Sequence, residues 1–144
     1  KNCFIYCKTN WRRSISNLPH PLDDFDPKSV SYLNNITDKT GAKIIISSSW
    51  RFDPDIINIL HKVGITGEII GCTPDLYNIY GSLCRGKEID VVLNKLTNIE
   101  QYIILDDDTD MEEHQLPFFI KTDPYKDGLN NEVANKVIEI LKWE

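Results

Sequence analysis

Short, continuous apolar runs alternate with amphipathic segments along the chain, and this alternation restricts the fold more than any other feature. The apolar runs lie at residues 42–46, 68–72, 102–105 and 118–120. Runs of this length are typical of strands that are buried on both faces, as in parallel sheets. Between the runs, apolar residues recur at helical spacing. The alternation predicts an α/β fold, a Rossmann-like three-layer sandwich with a mostly parallel sheet.

The predicted helices have clear start and stop signals. An aspartate followed by proline is an N-cap with proline at the first helical position, and a glycine ends a helix. Residues 1–25 are irregular, although residues 3–7 (CFIYC) are compatible with a short strand. The signals predict helices from Asp26 to Gly41 and from Asp53 to Gly64, a third from about Lys87 and a fourth capped by Asn130.

Length and charge exclude several classes of protein. The chain has 144 residues and a net charge of −6, which predicts one domain and argues against charge-driven binding to a nucleic-acid duplex. No apolar run approaches the roughly 20 residues that a membrane span needs. The spacing of the four cysteines fits no zinc site, so we expect reduced thiols in a cytoplasmic protein.

Four aspartates follow the apolar run at 102–105, at positions 106, 107, 108 and 110. Carboxylates this close repel one another unless a cation lies among them, and Mg²⁺ prefers oxygen ligands. We therefore expect Asp106 or Asp107 to bind magnesium directly, with Asp110 as a ligand or an anchor. The alternative is a solvated acidic turn that caps a following helix.

Polar and basic residues follow the run at 42–46 and precede the third helix. Hydroxyl groups and backbone amides at a strand end can hold phosphate oxygens, which makes Ser47, Ser48 and Ser49 candidate phosphate ligands. Arg85 or Lys87 could offset the charge of the phosphate and of a neighbouring aspartate. Alternatively, the serines satisfy strand-end backbone groups and the two cations lie at the surface. Carboxyl ends of parallel strands share one edge of the sheet, which predicts that the serines and the aspartates meet there.

The order of these segments resembles the haloacid dehalogenase (HAD) superfamily, from about Phe25 to Leu141. The likeness is strongest to small HAD-type phosphatase domains that occur alone or within multidomain RNA-repair proteins. The matching segments are FDPKSVSYLNNI, KIIISSSWR, IIGCTP, RGKEI, YIILDDDTDM and GLNNEVANKVIEIL.

The resemblance implies a HAD-like fold without a large cap and phosphoryl transfer through an aspartyl-phosphate. Carried over by position, Ser48 would bind the transferring phosphoryl group and Arg85, or less favourably Lys87, would stabilise its charge. Asp106 and Asp107 would hold magnesium. The implied activity is that of a magnesium-dependent phosphatase acting on a small phosphoester or a nucleic-acid end. In that activity Ser48, Arg85 and Asp107 would be the catalytic residues.

One motif of the family is not found in the chain. An apolar strand ending in Asp-x-Asp should supply the nucleophile, but the first acidic residue is Asp23, which no apolar strand precedes. In one explanation, which we favour because the sequence opens with Lys1, the strand lies upstream. The domain of residues 1–144 would then lack its first strand. In the other, CFIYCKTN occupies the first-strand position and the protein is inactive. A replacement nucleophile at Cys7 is the least favoured idea, because no glycine-containing phosphate loop follows it.

Two other functions remain open at this point. One is a non-catalytic phosphate-binding or interaction domain. The other is a receiver-like signalling domain, which normally places its acidic pair earlier in the chain than the cluster at 106–110.

Overall fold

The computed structural model describes residues 3–7, 25–123 and 128–142, except for the side chains of Cys3, Cys7, Ser49 and Trp50. Within these ranges five strands form one parallel sheet, in the order β3-β2-β1-β4-β5. The strands are β1 (Cys3–Cys7), β2 (Lys43–Ile46), β3 (Ile69–Cys72), β4 (Gln101–Asp106) and β5 (Phe119–Lys121). The predicted α/β fold with a parallel sheet is confirmed.

Helices cover both faces of this sheet. Alternate strand residues face opposite sides: Ile5 packs with α1, α2 and α5, whereas Phe4 and Tyr6 pack with α4. None of the described helices is long and apolar enough to cross a membrane. The helices are α1 (Pro27–Thr40), α2 (Ile56–Lys62), α3 (Tyr77–Tyr80), α4 (Arg85–Lys95) and α5 (Asn131–Lys142), with 3₁₀ helices at Ser49–Phe52 and Glu113–Phe118.

Local signals set the ends of α1 as predicted. The Asp26 carboxylate accepts a hydrogen bond from the Lys28 amide at 2.9 Å, and Gly41 ends the helix in the left-handed conformation. The second helix begins later than its signal, at Ile56, because the Asp53 carboxylate caps a turn by accepting from the Asp55 amide. The third begins slightly earlier than predicted, at Arg85.

The strand β1 lies in the middle of the sheet. It is paired along one edge with β2 and along the other with β4, and Cys7 is in register with Ile46 and Leu105. Both edges of β1 are therefore used, and a strand from upstream residues would have no place between β2 and β4. Within the described part of the chain, β1 therefore occupies the central position of the sheet.

The connections that follow the strands are short where they are described. Residues 73–84, between β3 and α4, contain only the single turn of α3. No large cap is present at this place in the described chain. Among the described residues, short loops and the beginning of α4 lie at the carboxyl edge of the sheet.

Candidate functional site

The carboxyl ends of β2, β1 and β4 lie side by side. Ser47 follows directly on Ile46 and Asp106 on Leu105, and these two strand residues flank Cys7 in register. Ser47, Ser48 and Asp106 are all fully buried. The serine-tipped and acid-tipped strands are thus separated by a single strand, which is the arrangement that the parallel topology predicted.

Three of the aspartates form a compact group of oxygen atoms. Asp106, Asp107 and Asp108 each offer a carboxylate oxygen within 4.8 Å of the others. Asp106 is fully buried, and one of its oxygens accepts a hydrogen bond from the Asp108 amide at 2.9 Å. Clustered carboxylate oxygens of this kind suit a hard divalent cation. The donor set therefore fits the magnesium ion that the sequence predicted.

Asp110 connects the acidic segment to α4. One oxygen of its carboxylate accepts from the Arg85 amide at 3.0 Å, and its carbonyl accepts from the Gly86 amide at 3.0 Å. These contacts match the predicted anchor role, and the other carboxylate oxygen, Oδ1, has no hydrogen-bond partner among the described residues. Asp108, which the prediction omitted, lies close to Asp106 and Asp107.

Arg85 places a positive charge among these carboxylates. Its Nε lies 3.1 Å from Asp106 Oδ2, and its Nη2 lies 3.6 Å from Asp108 Oδ2. The Arg85 side chain is 15% exposed, so this contact is only weakly screened by water. The acidic cluster is therefore partly neutralised by the chain itself. The clustering alone does not require a metal ion, contrary to the electrostatic argument from the sequence.

Lys87, the alternative cation, has other partners. Its ammonium group lies 2.9 Å from the Glu112 carboxylate and 5.2 Å from the ring centre of Tyr80. The hydrogen bond to Glu112 raises the pKa of Lys87 above its usual value. The side chain is 44% exposed, at the surface of α4. Arg85, and not Lys87, is the cation that the structure brings to the aspartates.

A buried ion pair that the sequence reasoning missed supports the end of β2. Arg51 donates to the carbonyl oxygens of Ser47 at 3.1 Å and Ser48 at 2.9 Å, and to the Glu88 carboxylate at 2.9 Å. Glu88 also accepts from the Leu76 amide at 3.0 Å. The pair connects β2, α4 and the loop after β3. A signal was available, because Glu88 lies four residues before Val92 on the apolar stripe of α4.

Several buried polar atoms at this edge have no hydrogen-bond partner among the described residues. They include Ser47 Oγ, Arg51 Nε, Thr73 Oγ1, Arg85 Nη1 and Asp110 Oδ1. Buried polar groups are normally paired, because an unpaired one is costly. Their concentration around the ends of β2, β3 and β4 indicates a place that a polar ligand would complete. Ser49, the third predicted phosphate ligand, has a side chain that lies outside the described part.

A cavity of about 380 Å³ opens beside the acidic cluster. Arg51, Arg85, Asp108 and Asp110 contribute to its wall. Cys84 also lines it, but burial raises the pKa of this thiol, which keeps it protonated and a poor nucleophile. The cavity therefore offers charged groups for binding rather than an activated cysteine.

The residues at the end of β1 differ from the Asp-x-Asp motif that the resemblance implies. Positions 7, 8 and 9 are Cys, Lys and Thr, and no aspartate occurs before Asp23. Residues 8–24 and the Cys7 side chain lie outside the described part, but the backbone of β1 fixes where the strand ends. In the sequence, no aspartate or glutamate follows directly on β1.

Comparison with known proteins agrees with the fold and with these strand ends. No curated protein and no solved structure matches the chain. A protein family described as the HAD domain in Swiss Army Knife RNA repair proteins matches residues 5–134, a range that begins within β1. Because the match covers most of the chain, the protein belongs to this family of HAD domains.

Proposed function

We propose that this HAD domain binds a phosphorylated ligand together with a divalent cation, magnesium by preference, at the carboxyl edge of its sheet. The observation that supports the proposal is the group of buried polar atoms without partners among the described residues, which belong to residues at or near the carboxyl ends of β2, β3 and β4 and at the beginning of α4. Phosphate and a hard cation are the complementary partners for hydroxyl, guanidinium and carboxylate groups.

Each residue has a definite part in this binding. The Ser47 and Ser48 hydroxyls and nearby backbone amides would hold phosphate oxygens, and Arg85 would pair with their negative charge. Asp106 and Asp107, with Asp108 beside them, would hold the cation. When bound, the ion supplies positive charge that neutralises the phosphoryl oxygens. Arg51 and Glu88 would keep the serine segment in place.

Hydrolysis is a separate step, and we propose that this chain does not perform it through an aspartyl-phosphate. That mechanism needs a carboxylate nucleophile at the end of the central strand, where residues 7–9 are Cys, Lys and Thr. The domain would then bind phosphorylated groups, on small molecules or nucleic-acid ends, without turning them over by this route.

A magnesium-dependent phosphatase is the second candidate. It is favoured by the presence of Ser48, Arg85 and Asp107, which form the remaining part of a HAD-type catalytic site. HAD domains as a family are mostly hydrolases. In this case the nucleophile would come from residues outside the described ranges, and Asp107 would be required for turnover.

Binding and turnover assays on the same protein separate these candidates. We expect tungstate, a phosphate analogue, to bind more tightly when magnesium is present, as measured by calorimetry. The substitution Asp107→Asn should weaken this effect at least about tenfold. The control Asp38→Asn, at an exposed position on α1, should not change it.

Hydrolysis of 4-nitrophenyl phosphate is measured in parallel, with and without magnesium. We expect the parent protein to hydrolyse this substrate no faster than the Asp107→Asn variant does. Magnesium-dependent turnover that disappears in Asp107→Asn would reject the non-hydrolytic proposal in favour of the phosphatase. Failure to bind both tungstate and magnesium would reject both candidates.

A further inference from the structure

The cavity next to the acidic cluster has an apolar rim. Phe52, Tyr77 and Leu83 line it, and their side chains are 58%, 63% and 81% exposed. Large apolar side chains grouped at an opening are unusual on a protein surface unless something covers them. The wall of the same cavity also contains Arg85 and Asp108, which belong to the proposed phosphate and metal site. A ligand in this cavity would therefore meet both charged and apolar groups.

Leu83 is held in a backbone conformation that leucine disfavours. Its φ is +62°, and the one other non-glycine residue with positive φ in the described chain is Asn98, a residue type that tolerates this region. Because the Leu83 side chain is mostly exposed, contacts within the described protein do little to offset the strain. Strain of this kind is concentrated at binding and catalytic sites. The conformation places an apolar side chain at the opening of the cavity.

Phe52 is supported from one side. The Arg51 guanidinium lies 4.6 Å from the centre of the Phe52 ring, and Arg51 is itself held by Glu88 and by two carbonyl groups. The ring is therefore fixed before any ligand arrives, while much of its surface stays exposed. Fixed aromatic rings bind flat partners well, because little conformational freedom is lost on contact.

From these features we infer that the cavity receives a flat aromatic ring attached to the phosphorylated group. The ligand class is a phosphate monoester that carries such a ring, the chemistry shared by aryl phosphates and nucleoside monophosphates. A volume of about 380 Å³ is in the range of small-molecule sites. This inference rests on the proposed function, because Arg85 and the aspartates must hold the phosphoryl end.

Matched pairs of ligands test the inference with the complete chain and magnesium. Phenylphosphonate is compared with methylphosphonate, and adenosine 5′-monophosphate with ribose 5-phosphate, by calorimetry. We expect the ring to improve affinity about fivefold or more in at least one pair, as stacking on an aromatic side chain does. The first pair reports an aryl group alone, and the second reports a base that is attached through a sugar.

Two substitutions connect this preference to the cavity. Phe52→Ala and Leu83→Gly should each remove most of it. Leu83→Gly is informative because glycine adopts positive φ without strain, so the variant should be at least as stable as the parent. The control Ile79→Ala removes an equally exposed apolar side chain, 71% exposed, that does not line the cavity. It should leave the preference unchanged.

The outcomes distinguish a failure of this inference from a failure of the proposed function. Equal affinity within both ligand pairs would overturn the inference while leaving phosphate binding intact. A ring preference that survives both Phe52→Ala and Leu83→Gly would place the ring elsewhere and would also overturn it. Absence of binding by all four ligands, and by tungstate, would reject the proposed function and the inference together.

Discussion

The ion pair between Arg51 and Glu88 should be one of the strongest single contributions to stability near the site. Both side chains are buried, at 7% and 5% exposure, and the charged atoms are 2.9 Å apart. Removing one partner of a buried pair typically costs about 3–5 kcal/mol, because the other charge is left without compensation. In Glu88→Gln the new amide oxygen can still accept from the Leu76 amide, and Arg51 keeps its bonds to two carbonyls. We therefore expect Glu88→Gln to lower the free energy of unfolding by about 3 kcal/mol, the lower end of this range.

Urea unfolding followed by circular dichroism measures this loss. With a slope of about 2 kcal/mol per molar urea, 3 kcal/mol lowers the unfolding midpoint by about 1.5 M. A domain of ordinary stability, about 5–15 kcal/mol, would remain folded. The variant thus reports on the pair and does not simply fail to fold.

The neighbouring residue supplies a matched control. Lys87 forms an ion pair of the same length, 2.9 Å, with Glu112, but these side chains are 44% and 33% exposed. Water and side-chain entropy offset most of the benefit of exposed pairs. Lys87→Gln should therefore lower the unfolding midpoint by much less than Glu88→Gln. Equal effects of the two substitutions would refute the argument that burial makes the Arg51–Glu88 pair important.

Two further predictions follow from packing and from burial. Gly86→Ala should lower the free energy of unfolding by about 1–3 kcal/mol in urea unfolding, because the new Cβ would lie 2.6 Å from the Glu112 backbone nitrogen. Unchanged stability would show that α4 can shift to make room for the methyl group. Burial raises the pKa of Cys84 and of Tyr6. At high pH the folded state thus retains protons that the unfolded chain loses, and stability should fall as pH rises above about 9. A urea midpoint that is constant between pH 7 and 10.5 would contradict this.

Much of the fold could be predicted because its signals are local. The cap at Asp26 and the stop at Gly41 lie within the segment that they control, and the apolar runs of β2 and β4 are buried in any parallel sheet. The boundary of α2 was less accurate, because Asp53 and Pro54 form a turn before the helix as readily as its first residues. The placement of β1 depends on pairing with strands that are about 40 and 100 residues away along the chain. Its five residues carry no signal for a central position.

The position of the candidate site, like the fold, could be predicted in part from the sequence. Parallel topology alone predicts that Ser47 and Asp106 lie at one edge of the sheet. The pairing of Arg51 with Glu88 was not predicted: the position of Glu88 on the apolar stripe of α4 indicates burial, but its partner lies 37 residues away and carries no signal in the sequence. The contact of Asp110 with the beginning of α4 and the closeness of Asp108 to Asp106 and Asp107 depend on how the turn after β4 folds, which spacing does not reveal.

Folding and chemistry make different demands on β1, the central strand of the sheet. The strand is held in the centre by Phe4, Ile5 and Tyr6, which are buried on both faces of the sheet, and by backbone pairing on both edges. None of these contacts depends on a carboxylate at the strand end. A carboxylate there would add negative charge beside Asp106, which already needs Arg85 for compensation. An uncharged residue at that position avoids this repulsion, so the fold does not require the carboxylate that an aspartyl-phosphate mechanism would use, and phosphate binding is the part of the proposed function to test first.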